Sequence, residues 1–179
     1  MPLTKIKSLG ITDGTIIGDD INSTFNLTGK TVTLPAGTGG KVLQVLSATD
    51  NSNYSTTSTS FISSSNTMSV TITPSSASNK IFVIASTCIF NNANQSYTSA
   101  TIYRGTTNLG NANLGMGTVW GSNSSIPGVP ITMNYLDSPA STSALTYQVR
   151  YRAVGSGTAY LNGLDSNNQG AITVFEIAG

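Results

Sequence analysis

Few side chains in this sequence have the chemistry that catalysis or metal binding requires. The chain of 179 residues contains no histidine, which is the commonest general base and metal ligand. A single cysteine, Cys88, excludes an intrachain disulfide and a multi-cysteine metal site. Because Cys88 lies within an apolar run, we interpret it as a small core residue rather than a nucleophile.

The carboxylates do not form pairs that could share acid and base roles. Asp19 and Asp20 are adjacent in an extended segment, so their side chains point to opposite sides. The turn at 165–170 offers oxygen ligands but lacks the bidentate glutamate of a calcium loop. The seven carboxylates are Asp13, Asp19, Asp20, Asp50, Asp137, Asp165 and Glu176. The sequence therefore predicts no catalytic residue, no metal site and no cofactor. A polysaccharide-cleaving enzyme built from distant carboxylates is the enzymatic alternative.

Residues suited to binding are easier to find. The only tryptophan, Trp120, lies in a segment rich in Asn and Gly. An exposed ring among amides suits sugar recognition, because the ring stacks on the apolar face of a sugar while amides bond to its hydroxyls. We therefore predict Trp120, Asn113 and Asn123 as candidate glycan contacts. The alternative is that Trp120 packs into the core.

A second binding pattern lies at 147–152, where apolar and polar residues alternate. The alternation places Arg150 and Arg152 on one face, where they could bind a phosphate or a uronate. A solvated or inter-subunit strand face is the alternative.

The elements that must position these residues are β-strands. Period-two alternation in segments rich in Val, Ile, Thr, Tyr and Phe recurs along the chain, and turn-forming residues separate these segments. An all-β antiparallel jelly-roll sandwich is therefore expected over 41–179. The predicted strands are 41–47, 54–62, 67–73, 80–90, 97–104, 114–120, 129–136, 144–153 and 170–178.

The first forty residues have a different character. Their apolar residues are spaced irregularly among Gly, Asp and Asn, which matches neither a complete strand nor a helical face. We predict that 1–40 is an extended arm that becomes ordered by docking on a partner. The candidate anchor residues are Ile6, Leu9, Ile11, Ile16, Ile17 and Ile21.

Two predicted strands, 80–90 and 170–178, are apolar on both faces. In a two-layer sandwich only one face of a strand packs on the opposite sheet, so the second face needs another cover. A further copy of the chain is the expected cover, and loops of the same chain are the alternative. The candidate interface residues are Phe82, Ile84, Phe90, Phe175 and Ile177.

Composition excludes several classes of partner. Charged residues make up 8% of the chain and the net charge is +1, whereas ordinary soluble domains contain about 25% charged residues. Long-range attraction to nucleic acid or to an anionic membrane therefore has no evident source. Lys5 and Lys7 precede no apolar run, so no secretory signal is expected, and no segment has the length of a membrane helix.

The segments 41–47, 54–61 and 70–83 resemble the β-domains of tail-fibre and other virion surface proteins of bacteriophages, particularly marine ones. Segments 10–16 and 28–37 resemble the attachment and shaft regions of the same proteins. Members of that group form trimers with a jelly roll similar to the heads of complement and tumour necrosis factor proteins. The arm of this chain is much shorter than the shaft of a long tail fibre, so a short fibre or knob fits its length better.

The resemblance implies a non-enzymatic structural protein on the virion surface. It would be made in the host cytoplasm, form a homotrimer, bind capsid or tail proteins through its arm, and contact the host surface, with a surface glycan as a candidate ligand. The alternative is a capsid decoration or cement protein whose arm staples neighbouring shell subunits.

Overall fold

The computed structural model of the protein describes residues 41–121, 128–163 and 168–179. The predicted arm and Asn123 lie outside these residues. The described chain is all-β, as predicted. It contains no helix, and therefore no helix that is long and apolar enough to cross a membrane. Its strands are β1 (Val42–Asp50), β2 (Tyr54–Thr56), β3 (Ser69–Ile72), β4 (Lys80–Asn91), β5 (Tyr97–Arg104), β6 (Thr107–Asn108), β7 (Gly117–Trp120), β8 (Val129–Asp137), β9 (Leu145–Val154), β10 (Ala159–Leu161) and β11 (Gly170–Ile177).

The strands form two antiparallel sheets. Sheet A contains β1, β11, β4 and β8 side by side, and the short strands β10 and β2 continue it beside the second half of β4. Sheet B contains β3, β9 and β5, and both β6 and β7 pair with the far edge of β5. The two sheets pack face to face around one core.

The pairing of the eight principal strands is nested. The first pairs with the last (β1 with β11), and the pairs β3 with β9, β4 with β8 and β5 with β7 follow inwards. Such a ribbon of nested antiparallel pairs, rolled into two sheets, is a jelly roll. The predicted fold class is therefore confirmed.

Each of the nine predicted strands corresponds to a strand of the structure, with one substantial change of length. Only Tyr54–Thr56 of the predicted strand 54–62 is a strand in sheet A. The chain then crosses to sheet B, where Ile62 and Tyr151 exchange two backbone hydrogen bonds of 3.0 Å. The segment bends at 59–60 between these two pairings, so it serves two sheets rather than one. The short strands β6 and β10 were not predicted.

The core lies between the sheets and follows the period-two alternation. On β4, Ile81, Val83, Ala85 and Ile89 are buried on the inner face, as the sequence predicts, together with Thr87; the alternate residues from Phe82 to Cys88 face outward. The inner face of β9 contributes two tyrosines that are fully buried, together with aliphatic residues. The remaining core residues are Met68, Val70, Ile72, Ala100, Ile102, Met133, Tyr147, Val149, Tyr151, Ala153, Ala159, Leu161, Ile172 and Val174.

Candidate functional site

The outer face of sheet A carries a continuous row of apolar side chains. The strand register aligns Val45, Phe175, Phe82 and Leu136 across β1, β11, β4 and β8. The rings of Phe82 and Phe175 lie 6.2 Å apart between centroids and are half-buried. Val45 and Leu136, at the two ends of the row, are each 50% exposed. We term these four residues the apolar row.

Exposed large hydrophobic residues concentrate on the two outermost principal strands of sheet A. Neither β1 nor β8 has a second neighbouring strand within the described chain, so each presents a free backbone edge. Such an edge with apolar side chains promotes association unless it is covered. The exposed residues on these two strands are Val42, Leu43, Val45 and Leu46 of β1, and Val129, Tyr135 and Leu136 of β8.

The predicted interface residues all lie on the outer face of sheet A, but they differ in exposure. Phe82, Ile84, Phe175 and Ile177 are half-buried in the single chain. Phe90 is only 3% exposed, and its ring packs 5.9 Å from that of Tyr160. Phe90 therefore has little surface left for a partner, and its own chain supplies its cover.

Cys88 lies on this same outer face, between Phe90 and the apolar row. It is half-buried rather than a fully buried core residue, so the prediction of a core position is corrected. Burial raises the pKa of its thiol above the ordinary value. A thiol with a raised pKa is a poor nucleophile at neutral pH, in agreement with the interpretation from the sequence.

On the other side of the sandwich, Trp120 ends β7 on the outer face of sheet B. Its side chain is 68% exposed, so the alternative that it packs into the core is wrong. Tyr97 is its cross-strand partner on β5, with ring centroids 5.2 Å apart and planes tilted by 58°. The inward position on β7 belongs to Val119, which packs against the core.

Asn113 is exposed in the loop between β6 and β7. Its backbone carbonyl accepts a hydrogen bond from the guanidinium of Arg152, so this loop lies over the outer face of sheet B. Asn113 and Trp120 are therefore on the same side of the molecule. Asn123, the third predicted glycan contact, lies outside the described residues.

Arg150 and Arg152 share the outer face of sheet B, as the alternation predicts, but they bind their own chain. Arg150 lies 4.3 Å above the ring of Tyr103, and Arg152 lies 4.9 Å above that of Phe61. Both arginines also donate hydrogen bonds to backbone carbonyls, one of them from Arg152 to Thr59 at 3.0 Å. These contacts leave the two guanidinium groups poorly placed to bind a phosphate or a uronate together.

Glu176 is fully buried on the inner face of β11, and no lysine or arginine of the described residues forms an ion pair with it. One carboxylate oxygen accepts hydrogen bonds from the amide and hydroxyl of Ser75, at 2.6 and 2.8 Å, and from Asn79 at 2.5 Å. The other accepts one from Gln44 at 2.6 Å. Burial by itself would raise the pKa of Glu176, but the hydrogen bonds from Gln44, Asn79 and Ser75 outweigh it and lower the pKa to about 2.

The other two described carboxylates are also buried and bound to their own chain. Asp137 accepts two hydrogen bonds from Arg104, at 2.7 and 2.8 Å, and one from Tyr147 at 2.6 Å. Burial and then this hydrogen bond raise the pKa of the Tyr147 hydroxyl above its ordinary range. Burial alone would raise the pKa of Asp50, yet hydrogen bonds led by that from the Thr67 amide lower it.

These three carboxylates are held by hydrogen bonds from the chain itself. They occupy separate places, and each is surrounded by donors from the chain itself. Within the described residues, no group of three or more His, Cys, Asp or Glu side chains is arranged to hold a metal ion. Sequence reasoning missed the structural role of Glu176, although its position in step with the inward-facing Ile172 and Val174 was a signal that it faces the core.

Comparisons with known proteins add little to this geometry. No protein-family model and no curated protein matches the chain significantly. Among solved structures, the chain is similar to a chain of the T13 IBDV viral particle, with 12% sequence identity and a TM-score of 0.38. The similarity covers 82% of this chain and 41% of the viral-particle chain, so this chain spans less than half the length of the viral-particle chain. A TM-score of 0.38 is too low to assign a family or a function.

Proposed function

We propose that this protein is a non-enzymatic structural protein of a bacteriophage virion, and that its jelly roll forms a homotrimeric knob on the particle surface. The resemblance of segments 41–47, 54–61 and 70–83 to phage virion surface proteins supports the proposal, and the jelly-roll strand order agrees with it. In this proposal residues 1–40 attach the knob to other virion proteins, and the knob contacts the host surface.

The apolar row is the observation that carries self-association. Apolar surface removed from water stabilises an assembly by roughly 25 cal/mol per Å², and the apolar row extends across four strands to two exposed ends. With charged residues at 8% of the chain, little charge is available to oppose close contact between copies. A second copy of the same chain is therefore a suitable cover for this face.

The arrangement of the two edges favours a ring over a twofold dimer. The β1 and β8 edges lie at opposite sides of sheet A and carry different exposed residues. A twofold contact would pair one edge with itself and leave the other exposed, whereas a head-to-tail contact uses both edges at every interface and can close into a ring. The phage surface proteins that the sequence resembles form trimers, so we propose a ring of three copies.

The test is the solution mass of the full-length chain by light scattering, with two matched leucine variants. Leu136 is 50% exposed at the end of the apolar row, and Leu114 is 46% exposed in the loop between β6 and β7. We expect a trimer for the wild type and for Leu114→Glu, but a monomer for Leu136→Glu, because the new charge would be buried in the interface. A monomeric wild type, or equal masses for the two variants, would refute the proposal.

The attachment role of the arm needs a separate experiment. The double variant Ile11→Asp, Ile17→Asp in the full-length chain should keep the trimer mass and fail to join particles that lack the protein. The unsubstituted chain, added to the same particles, is the control. Normal incorporation of the double variant would show that these isoleucines do not anchor the protein.

A further inference from the structure

An exposed tryptophan supported by a tyrosine lies on the outer face of sheet B, on the opposite side of the sandwich from the apolar row. Two exposed hydroxyl side chains belong to the neighbouring backbone: Thr118, two residues before Trp120 on the same strand, and Ser156, in the turn that follows β9, whose hydroxyl meets that of Ser96 next to Tyr97. We term Trp120, Tyr97, Thr118 and Ser156 the aromatic platform.

The backbone of the aromatic platform is fixed at several points. Trp120 is paired with Tyr97 in the β-ladder, and the amide of Gly121 donates a hydrogen bond of 2.6 Å to the carbonyl of Ser96. A Cβ at Gly121 would overlap the Ala93 carbonyl oxygen, so the close approach of the two segments requires glycine. The hydroxyls of Ser96 and Ser156 lie 3.1 Å apart, which ties the turn after β9 to the same point.

The ladder explains why the side chain at position 120 points outward, but no contact in the described chain requires that side chain to be a large apolar ring. A large apolar ring in water is unfavourable, and the ladder holds this ring outward rather than letting it turn into the core. The ring contact with Tyr97 restricts the positions that the Trp120 ring can take, which reduces the side-chain entropy lost when a ligand stacks on it.

The surroundings of the ring indicate the class of ligand. The Thr118 hydroxyl donates to the Leu114 carbonyl at 3.1 Å and lies 3.1 Å from the Ser99 hydroxyl, and the Ser156 hydroxyl lies 3.1 Å from that of Ser96. A hydroxyl oxygen has two lone pairs, so each of the two can still accept a hydrogen bond from a saccharide hydroxyl. The nearest cation along this face, Arg152, covers Phe61 and donates to the carbonyls of Thr59 and Asn113, so it is committed to the chain. The aromatic platform therefore offers an apolar ring and neutral polar groups without a free charge.

A protein partner fits these surroundings less well. Energetic centres of protein interfaces lie among other apolar side chains that exclude water. Of the nine exposed large hydrophobic residues in the described chain, seven lie on β1 and β8 of sheet A, and only Leu114 joins Trp120 on the side of sheet B.

We propose that the aromatic platform binds a neutral saccharide, whose apolar ring face stacks on Trp120 while its hydroxyls donate hydrogen bonds to the hydroxyl oxygens of Thr118 and Ser156. The proposal gives a ligand class to the host contact in the proposed function, and it rests on that function only for its biological setting. The geometry at Trp120 does not depend on trimer formation.

The experiment uses the emission of Trp120, which is the only tryptophan in the chain. The full-length protein is titrated with hexasaccharides of glucose, mannose, galactose and N-acetylglucosamine, and with hexagalacturonate as a charged probe. We expect a saturable change of emission with at least one neutral probe at millimolar concentration or below. Calorimetry with that probe should then show at least about tenfold weaker binding for Trp120→Ala. Tyr135→Ala, which removes an exposed aromatic ring from sheet A, should bind as the wild type does.

Three results would overturn the proposal. One is the absence of any response to the neutral probes, and another is a response to hexagalacturonate alone. The third is an emission change on diluting the protein without sugar, which would make Trp120 a contact between copies. Light scattering on the same samples keeps this test separate from the proposed function, because loss of the trimer with intact sugar binding, or the reverse, identifies which proposal fails.

Discussion

Replacing Glu176 by glutamine tests whether the buried carboxylate stabilises the fold through its charge. The folded pKa of Glu176 is about 2, against an ordinary value of 4.5. The difference corresponds to about 3 kcal/mol of stability at neutral pH. Glutamine has the same shape and can keep the donors on one oxygen, but its NH₂ group would then face the Gln44 amide that now donates to the other oxygen. We expect Glu176→Gln to lower the free energy of unfolding by about 2–3 kcal/mol at pH 7.

The pH dependence provides a second, independent readout. Because the folded pKa is depressed, the stabilisation is present above pH 4.5 and is lost as the pH falls towards 2. Linkage gives a loss of about 2 kcal/mol between pH 5 and pH 3 from this group alone. The wild type should therefore become more acid-sensitive than Glu176→Gln, and their stabilities should converge near pH 2.

The assay is urea unfolding followed by far-ultraviolet circular dichroism at pH 7, 5 and 3, at one protein concentration because assembly is linked to stability. Asp50→Asn is the control, since Asp50 also has a lowered pKa but lies six residues further along the β1–β11 ladder. Its effect should add to that of Glu176→Gln. Equal stability of Glu176→Gln and the wild type at pH 7, or parallel losses between pH 5 and pH 3, would refute the reasoning.

Two further substitutions examine other buried contacts. Tyr147→Phe removes the hydroxyl that donates to Asp137 at 2.6 Å and should lower the free energy of unfolding by about 1–3 kcal/mol, whereas Tyr160→Phe should change it by less than about 0.5 kcal/mol. Similar urea midpoints for these two variants would count against a structural role for the hydroxyl. Gly121→Ala places a Cβ against the Ala93 carbonyl and should lower the melting temperature, with a free-energy loss of about 1–3 kcal/mol. An unchanged melting temperature would mean that the two segments separate at no cost.

Alternation predicts the long strands because their inner faces build the core. On β4, β9 and β11 nearly every second residue is buried, so the period of two is visible in the sequence. The two short strands lack this signal. The strand β6 has only two residues, and β10 has three that pair because β2 and β4 lie on either side of them.

The candidate sites were harder to predict than the strands. Successive residues of a strand face opposite sides, so Trp120 must face outward if Val119 faces the core. The sequence alone does not show that Val119 faces the core, because that depends on the pairing of β7 with β5. Buried carboxylates are rare. The groups that donate hydrogen bonds to Glu176 lie more than ninety residues away in the sequence, so the residues next to Glu176 give no sign of them.

The position of β11 has a consequence for the timing of folding during protein synthesis. The strand β11 lies between β1 and β4, so β1 has no partner in the described chain until residues 170–177 have been made. Asp50 pairs with Gly170 and Val42 with Ile177, 120 and 135 residues apart, which makes closure of sheet A slow and non-local. A nascent chain that stalls before β11 would expose a free β4 edge as well as the apolar β1 strand, and we expect such fragments to aggregate or to need a chaperone.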